Sequence, residues 1–132
     1  MESADALTIL KEAEGGKAFR CVEYSITLAQ ALQAVGIPAR RIGLKREGAS
    51  YGVGKGHVVT EAWNDDLGKW IVLDGQNNAT WHDGQQVLDA AELRERLLGG
   101  EAGRVRMVHH GSRWIDRWNG DVQRREWIVY FH

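Results

Sequence analysis

Three residues of this chain have the types and the order needed for acyl-transfer chemistry: Cys21, His57 and Asp74. Cys21 is the only cysteine, and it opens the apolar run Cys21-Val22-Glu23-Tyr24-Ser25-Ile26-Thr27-Leu28-Ala29. His57 lies in Gly56-His57-Val58-Val59-Thr60-Glu61-Ala62-Trp63, and Asp74 closes Trp70-Ile71-Val72-Leu73-Asp74. A thiolate attacks an amide or ester carbonyl, an imidazole takes a proton and returns it to the leaving group, and a carboxylate fixes the imidazole tautomer and stabilises its charge. Each residue also has a plain reading. A cysteine in an apolar helix is a small core residue, a histidine in a strand is structural, and an aspartate before glycine starts a turn.

The elements that must position these residues are legible nearby. Residues 21–35 predict a helix with Cys21, Ser25, Leu28, Leu32 and Val35 along one face. No charge follows Glu23 until Arg40, so the helix is expected to be largely buried. Gly36 suits the C′ position, and Pro38 prevents continuation. A thiol at the helix start feels the positive end of the dipole, and its own backbone N–H is a candidate oxyanion donor. Strands over 57–63 and 69–74 are joined by the turn signal Asn64-Asp65-Asp66-Leu67-Gly68. Pairing Trp63 with Trp70 puts His57 and Asp74 on one face as diagonal neighbours, within side-chain reach. A slip by one residue would separate them. Trp63 and Trp70 fall on that same face, where they are expected to shield the ion pair, with Trp63 also a candidate for lining a substrate groove.

Residues 3–14 predict a short amphipathic helix capped by Ser3, with Ala6, Leu7, Ile9, Leu10 and Ala13 on its apolar side. Residues 39–45 read as a strand with Ile42 and Leu44 on one side, and 47–56 as a glycine-rich loop, a flap beside His57. Residues 89–98 read as a helix with Asp89 and Glu92 at capping-box spacing. Strands are expected over 104–109 and 124–131, and 112–121 carries no assignable pattern. Helices followed by a mostly antiparallel sheet with one inserted helix make the fold class α+β.

The remaining signals exclude more than they add. The chain has 132 residues, 43% of them hydrophobic, which suits one domain over residues 1–132 with its own core. Its net charge of −1 favours no polyanion, and six arginines against three acids in residues 104–132 read as solvated edges, so neither nucleic acid nor membrane is expected as a partner. One cysteine excludes an internal disulfide and fits a reducing compartment. With neither a signal-like nor a membrane-length apolar run, a cytoplasmic protein is expected. Gly52-Val53-Gly54-Lys55-Gly56 lacks phosphate-loop spacing and precedes a strand. His82, His109, His110 and Cys21 match no zinc pattern, so neither metal nor cofactor is expected.

The same residues resemble a known family. Cys21-Val22-Glu23-Tyr24-Ser25, with Ala31-Leu32-Gln33-Ala34-Val35-Gly36-Ile37-Pro38-Ala39-Arg40 after it, is similar to the nucleophile helix and following strand of the transglutaminase-like superfamily. His57-x3-Glu61-x-Trp63 and Trp70-x3-Asp74 look like that family's histidine and aspartate strands. The likeness covers about residues 18–76. It implies a papain-like α+β core with the cysteine helix packed on an antiparallel sheet, Cys21 as nucleophile, His57 as base and Asp74 as orienter. It implies a peptide or protein amide substrate attacked through a thioester, by hydrolysis or by acyl transfer. The alternative is an inactive domain of the same fold used for protein binding. Two departures from the pattern matter. Gly75 stands where the family often has proline, which should loosen the turn. Papain-like enzymes often take an oxyanion donor from an upstream glutamine, and residues 1–20 contain none, so water, Gln76 or Trp81 is expected to serve beside the Cys21 N–H.

Overall fold

The computed structural model describes residues 5–45 and 56–110. Their elements are α1 (Ala6–Glu14), α2 (Cys21–Ala34), β1 (Ala39–Lys45), β2 (Gly56–Asn64), β3 (Lys69–Asp74), β4 (Ala79–Asp83), β5 (Gln86–Val87), α3 (Ala90–Leu98), a 3-10 turn (Ala102–Arg104) and β6 (Val105–His109). The strands form one antiparallel sheet ordered β1-β2-β3-β4-β5, with β6 paired to β4. Helices and an antiparallel sheet make an α+β fold, with α2 packed on β2.

Short-range chemistry explains the helix limits. Asp5, rather than Ser3, is the N-cap of α1, and its carboxylate accepts the Thr8 N–H at 2.8 Å. The expected apolar side of α1 is only partly used: Ile9 is buried, whereas Leu7 and Leu10 are exposed. Helix α2 ends in a Schellman motif, with the Ile37 N–H on Leu32 O at 2.9 Å and the Gly36 N–H on Gln33 O at 3.0 Å. Gly36 sits at φ +84, the left-handed conformation this cap requires. The Asp89–Glu92 capping box opens α3 as its spacing predicts, with reciprocal bonds of 2.7 and 3.0 Å.

Helix α2 is less buried than its composition implies. Ser25, Ile26 and Ala29 are buried, while Tyr24, Ala31 and Ala34 are exposed. Small and apolar residues were tolerated on a face that packing does not cover, so the absence of charge was a poor guide to burial.

The core joins the sheet to α3. Leu44, Val59, Val72, Ala79, Trp81, Leu88, Leu93, Leu97, Val105 and Met107 form one apolar cluster. Leu88 stitches β3 to β4, its carbonyl accepting the Val72 N–H at 3.0 Å and its N–H donating to Trp81 O at 2.8 Å. Strand β4 had no readable pattern: five residues, Ala-Thr-Trp-His-Asp, lie between polar turns, too few for alternation to show. Yet it is the central strand of this half of the sheet, with Trp81 fully buried. The glycine-rich segment before Gly56 and the strand expected over 124–131 lie outside the described residues.

Candidate active site

The β2–β3 hairpin adopts the register that alternation requires, with Trp63 opposite Trp70 and Thr60 opposite Leu73. His57 and Asp74 therefore meet at one end of the hairpin. His57 Nε2 lies 2.8 Å from Asp74 Oδ2, with His57 at 8% exposure and Asp74 at 1%. A carboxylate that buried is ionised only when donors surround it. Asp74 has three: His57 Nε2, the Asn77 backbone N–H on Oδ1 at 3.0 Å, and Asn77 Nδ2 on Oδ2 at 2.7 Å. The bond to the Asn77 N–H makes Asp74 a turn former, so its plain reading is realised beside its contact with His57.

Cys21 is the first residue of α2, half-buried at the point where β2 begins. Two polar contacts with β2 pin α2 there, and a third ties Ser25 back to Cys21 within the helix. Ser25 Oγ lies 2.8 Å from Cys21 O and 2.9 Å from Val58 O, its one proton shared between two carbonyls, and Thr60 Oγ1 donates to Ser25 O at 3.2 Å. Ser25 and Thr60 are fully buried, so this seam fixes the helix start against the histidine strand. At the cap, Glu23 accepts the Arg20 N–H at 3.1 Å.

The electrostatics follow from these contacts. A hydrogen bond from His57 holds the Cys21 thiol below its ordinary pKa; burial opposes this, while the Val58 and Val22 N–H groups and the imidazole charge assist. For His57, burial is the largest influence and favours the neutral ring. Hydrogen bonds to Asp74 and Cys21, with the charges of both, outweigh it and raise the pKa from 6.5 to about 9. With Nε2 on Asp74, Nδ1 is the ring nitrogen left for the sulfur. The arrangement stabilises a thiolate–imidazolium pair.

The other residues singled out from the sequence lie elsewhere. Trp81 is fully buried in the core and presents nothing to a substrate. Trp63 is six residues along β2 from His57, about 20 Å away. There it packs edge-on against Trp70, with ring centroids 5.8 Å apart, so the two indoles do not shield the His57–Asp74 pair. Gln76 is exposed on the turn after Asp74. His82 and His110 each place Nε2 on Thr80 Oγ1, at 2.7 and 2.8 Å. Among the described residues, no group of three His, Cys, Asp or Glu side chains is placed to hold a metal, and no helix is long and apolar enough to cross a membrane. A cavity of about 590 Å³ lies between α1, α2 and the β3–β4 turn. Its wall includes Asp74 and Tyr24 but neither Cys21 nor His57, so a carbonyl meeting the thiol would not sit in it.

Two features escaped sequence reading. Asn77 stands three residues after Asp74, the spacing of a side-chain-capped turn, and that signal was available. The partnership of Arg40 and Glu61 was not. Arg40 Nε and Nη2 lie 3.1 and 2.9 Å from Glu61 Oε1, and the Ala90 N–H donates to Oε2 at 2.9 Å. The Arg40 guanidinium also stacks on Trp70 at 4.0 Å.

The model of the transglutaminase-like superfamily matches residues 2–75, more than half of the chain, and the match takes in Cys21, His57 and Asp74. The protein belongs to this superfamily, whose members are built on the papain-like core. Comparison with curated proteins and with solved structures finds no match.

Proposed function

We propose that this protein is a cysteine-dependent amide hydrolase or acyl transferase working through a thioester on Cys21, with His57 as acid–base and Asp74 as its orienter. One observation carries the reading. A buried imidazole is clamped at Nε2 by a buried carboxylate at 2.8 Å while it also hydrogen-bonds the only thiol in the chain, at the start of a helix.

In the first step the Cys21 thiolate attacks the carbonyl carbon of a peptide or protein amide, and the carbonyl π electrons move to oxygen. The N–H of Cys21, unused inside α2 at its first position, is the donor suited to that oxyanion, with water or Gln76 as a second. Collapse of the tetrahedral intermediate breaks the C–N bond. The departing amine takes its proton from His57 Nδ1, leaving a thioester and a neutral ring. His57 then accepts a proton from water or from an incoming amine, which attacks the thioester and expels the thiolate. Asp74 stabilises imidazolium wherever the cycle forms it. Whether the acceptor is water or an amine decides between hydrolysis and transfer.

The test is the pH dependence of iodoacetamide labelling, followed by release of amine from glutamine-containing and other peptides with and without a primary amine. Labelling of Cys21 is expected well below pH 8.5, and Cys21→Ala should abolish turnover with an unchanged melting temperature. Labelling that rises only at pH 8–9, unaltered by His57→Ala, would sink the proposal and leave the domain as a protein-binding module of the same fold.

A further inference from the structure

We propose that Asn77 is a positioning residue of this site, its side-chain amide holding the Asp74 carboxylate in the orientation that presents Oδ2 to His57. The proposal rests on the triad reading, and it adds a residue from the β3–β4 turn to that site.

A carboxylate pivots readily about its terminal torsion, which has no sharp staggered wells. Asp74 is 1% exposed, so water does not hold it. His57 grips only Oδ2, through a single bond of 2.8 Å, and one bond leaves the plane of the carboxylate free to swing. Asn77 removes that freedom with two donors on two oxygens: its N–H on Oδ1 at 3.0 Å and its Nδ2 on Oδ2 at 2.7 Å. Asn77 is anchored in turn. Its carbonyl accepts from His109 Nδ1 at 3.1 Å on β6, and the adjacent Asn78 carbonyl accepts the His110 N–H at 2.8 Å. The turn is thus held by β6, and the carboxylate by the turn. The titratable groups along this chain of contacts are His109, Asp74, His57 and Cys21.

Without Nδ2, Oδ2 loses one of its two donors in a site closed to water. The carboxylate can then pivot about the bond to the Asn77 N–H, and His57 loses the partner that keeps its pKa high. A residue that only shaped the turn would change stability and leave the imidazole alone.

The experiment compares the full chain with Asn77→Leu, which keeps the shape without the donor, and with Asn77→Ala. Asn78→Ala is the turn control, because Asn78 holds a left-handed φ of 49 and makes no side-chain bond to Asp74. The readouts are the ¹⁵N imidazole titration of His57, the pH profile of Cys21 alkylation, and thermal melts. Both Asn77 variants should lower the His57 pKa by about one unit, the equivalent of a tenfold change in the ionisation equilibrium. The rise of Cys21 alkylation with pH should move to higher pH, because the imidazolium that favours the thiolate is weakened. Asn78→Ala should lower the melting temperature and leave both profiles in place. His57 titrations of Asn77→Leu and Asn77→Ala that overlay the parent's would overturn the proposal, whatever the melts show. If the parent thiol proves ordinary while the His57 titration still moves with Asn77, the catalytic reading fails and the positioning role stands.

Discussion

The β2–β3 hairpin carries two buried carboxylates, and the two do different things. Asp74 is 1% exposed and Glu61 3%, and each accepts three hydrogen bonds. The difference lies in the partner. Glu61 faces Arg40, whose guanidinium never surrenders its proton in a protein. Its third donor is the first N–H of α3. Glu61 thus sits in a static clamp joining β1, β2 and α3, with Arg40 stacked on Trp70 and Trp63 against that indole. Asp74 faces His57, an imidazole that can take up and release a proton and has a second nitrogen for Cys21. Burial and satisfaction are alike for the two carboxylates, so neither marks the candidate site. A partner able to give up its proton does.

The comparison can be broken most sharply at Asp74. Asp74→Asn keeps the shape but cannot stabilise imidazolium, and it invites the wrong tautomer. Turnover is expected to fall by about 10²–10⁴-fold with the fold retained, as judged by circular dichroism. Undiminished turnover would reduce the site to Cys21 and His57. At Glu61, Arg40→Ala should act on stability alone. It leaves the Glu61 carboxylate with one donor, and because the Arg40 side chain is 52% exposed the loss is set below that for a fully buried pair, at about 2–3 kcal/mol by denaturant unfolding. The alkylation profile of Cys21 should not move; a shift there would mean that the two carboxylates are coupled.

A smaller effect follows from the sign of the His57 shift. A histidine whose folded pKa lies above its unfolded value contributes stability that is complete below about 6.5 and is lost as pH rises toward 9. The thiol titrates in the opposite sense, so the measurement belongs in a Cys21→Ser background. Relative to Cys21→Ser with His57→Gln, that variant should lose about 1–2 kcal/mol between pH 6 and pH 9, with most of the change above pH 6.5. A flat difference would mean that folding does not raise the His57 pKa.

The smallest expected effect concerns Gly75. A Cβ there would lie 3.4 Å from Tyr24 O and 3.5 Å from Leu28 Cδ2, ordinary contact distances, and no positive φ demands glycine. Gly75→Ala should therefore stabilise by about 0.4–1 kcal/mol through the unfolded chain, with no change in thiol reactivity. Destabilisation would show that the turn needs its present closeness to α2.

Local pattern was enough to determine the elements that carry the triad. The limits of α2 follow from Cys21, Gly36 and Pro38, and the hairpin register follows from its turn and its alternation, because a strand period of two leaves no intermediate slip. Hence His57 and Asp74 could be placed on one face before any contact was seen. Tertiary structure alone decided what lies across the sheet. The five-residue β4 carries too little periodicity to be read, yet its pairing with β3 and β6 buries Trp81 and removes it from any substrate site. The pairing of β1 with β2 brings Arg40 to Glu61 across 21 residues, and no local spacing encodes that contact. The Ser25–Val58–Thr60 seam likewise sets where the thiol stands against the imidazole, because it depends on how a helix docks on a strand more than thirty residues away. Residue types limited which chemistry was possible; docking and pairing decided which of two satisfied carboxylates would face a group that can release its proton.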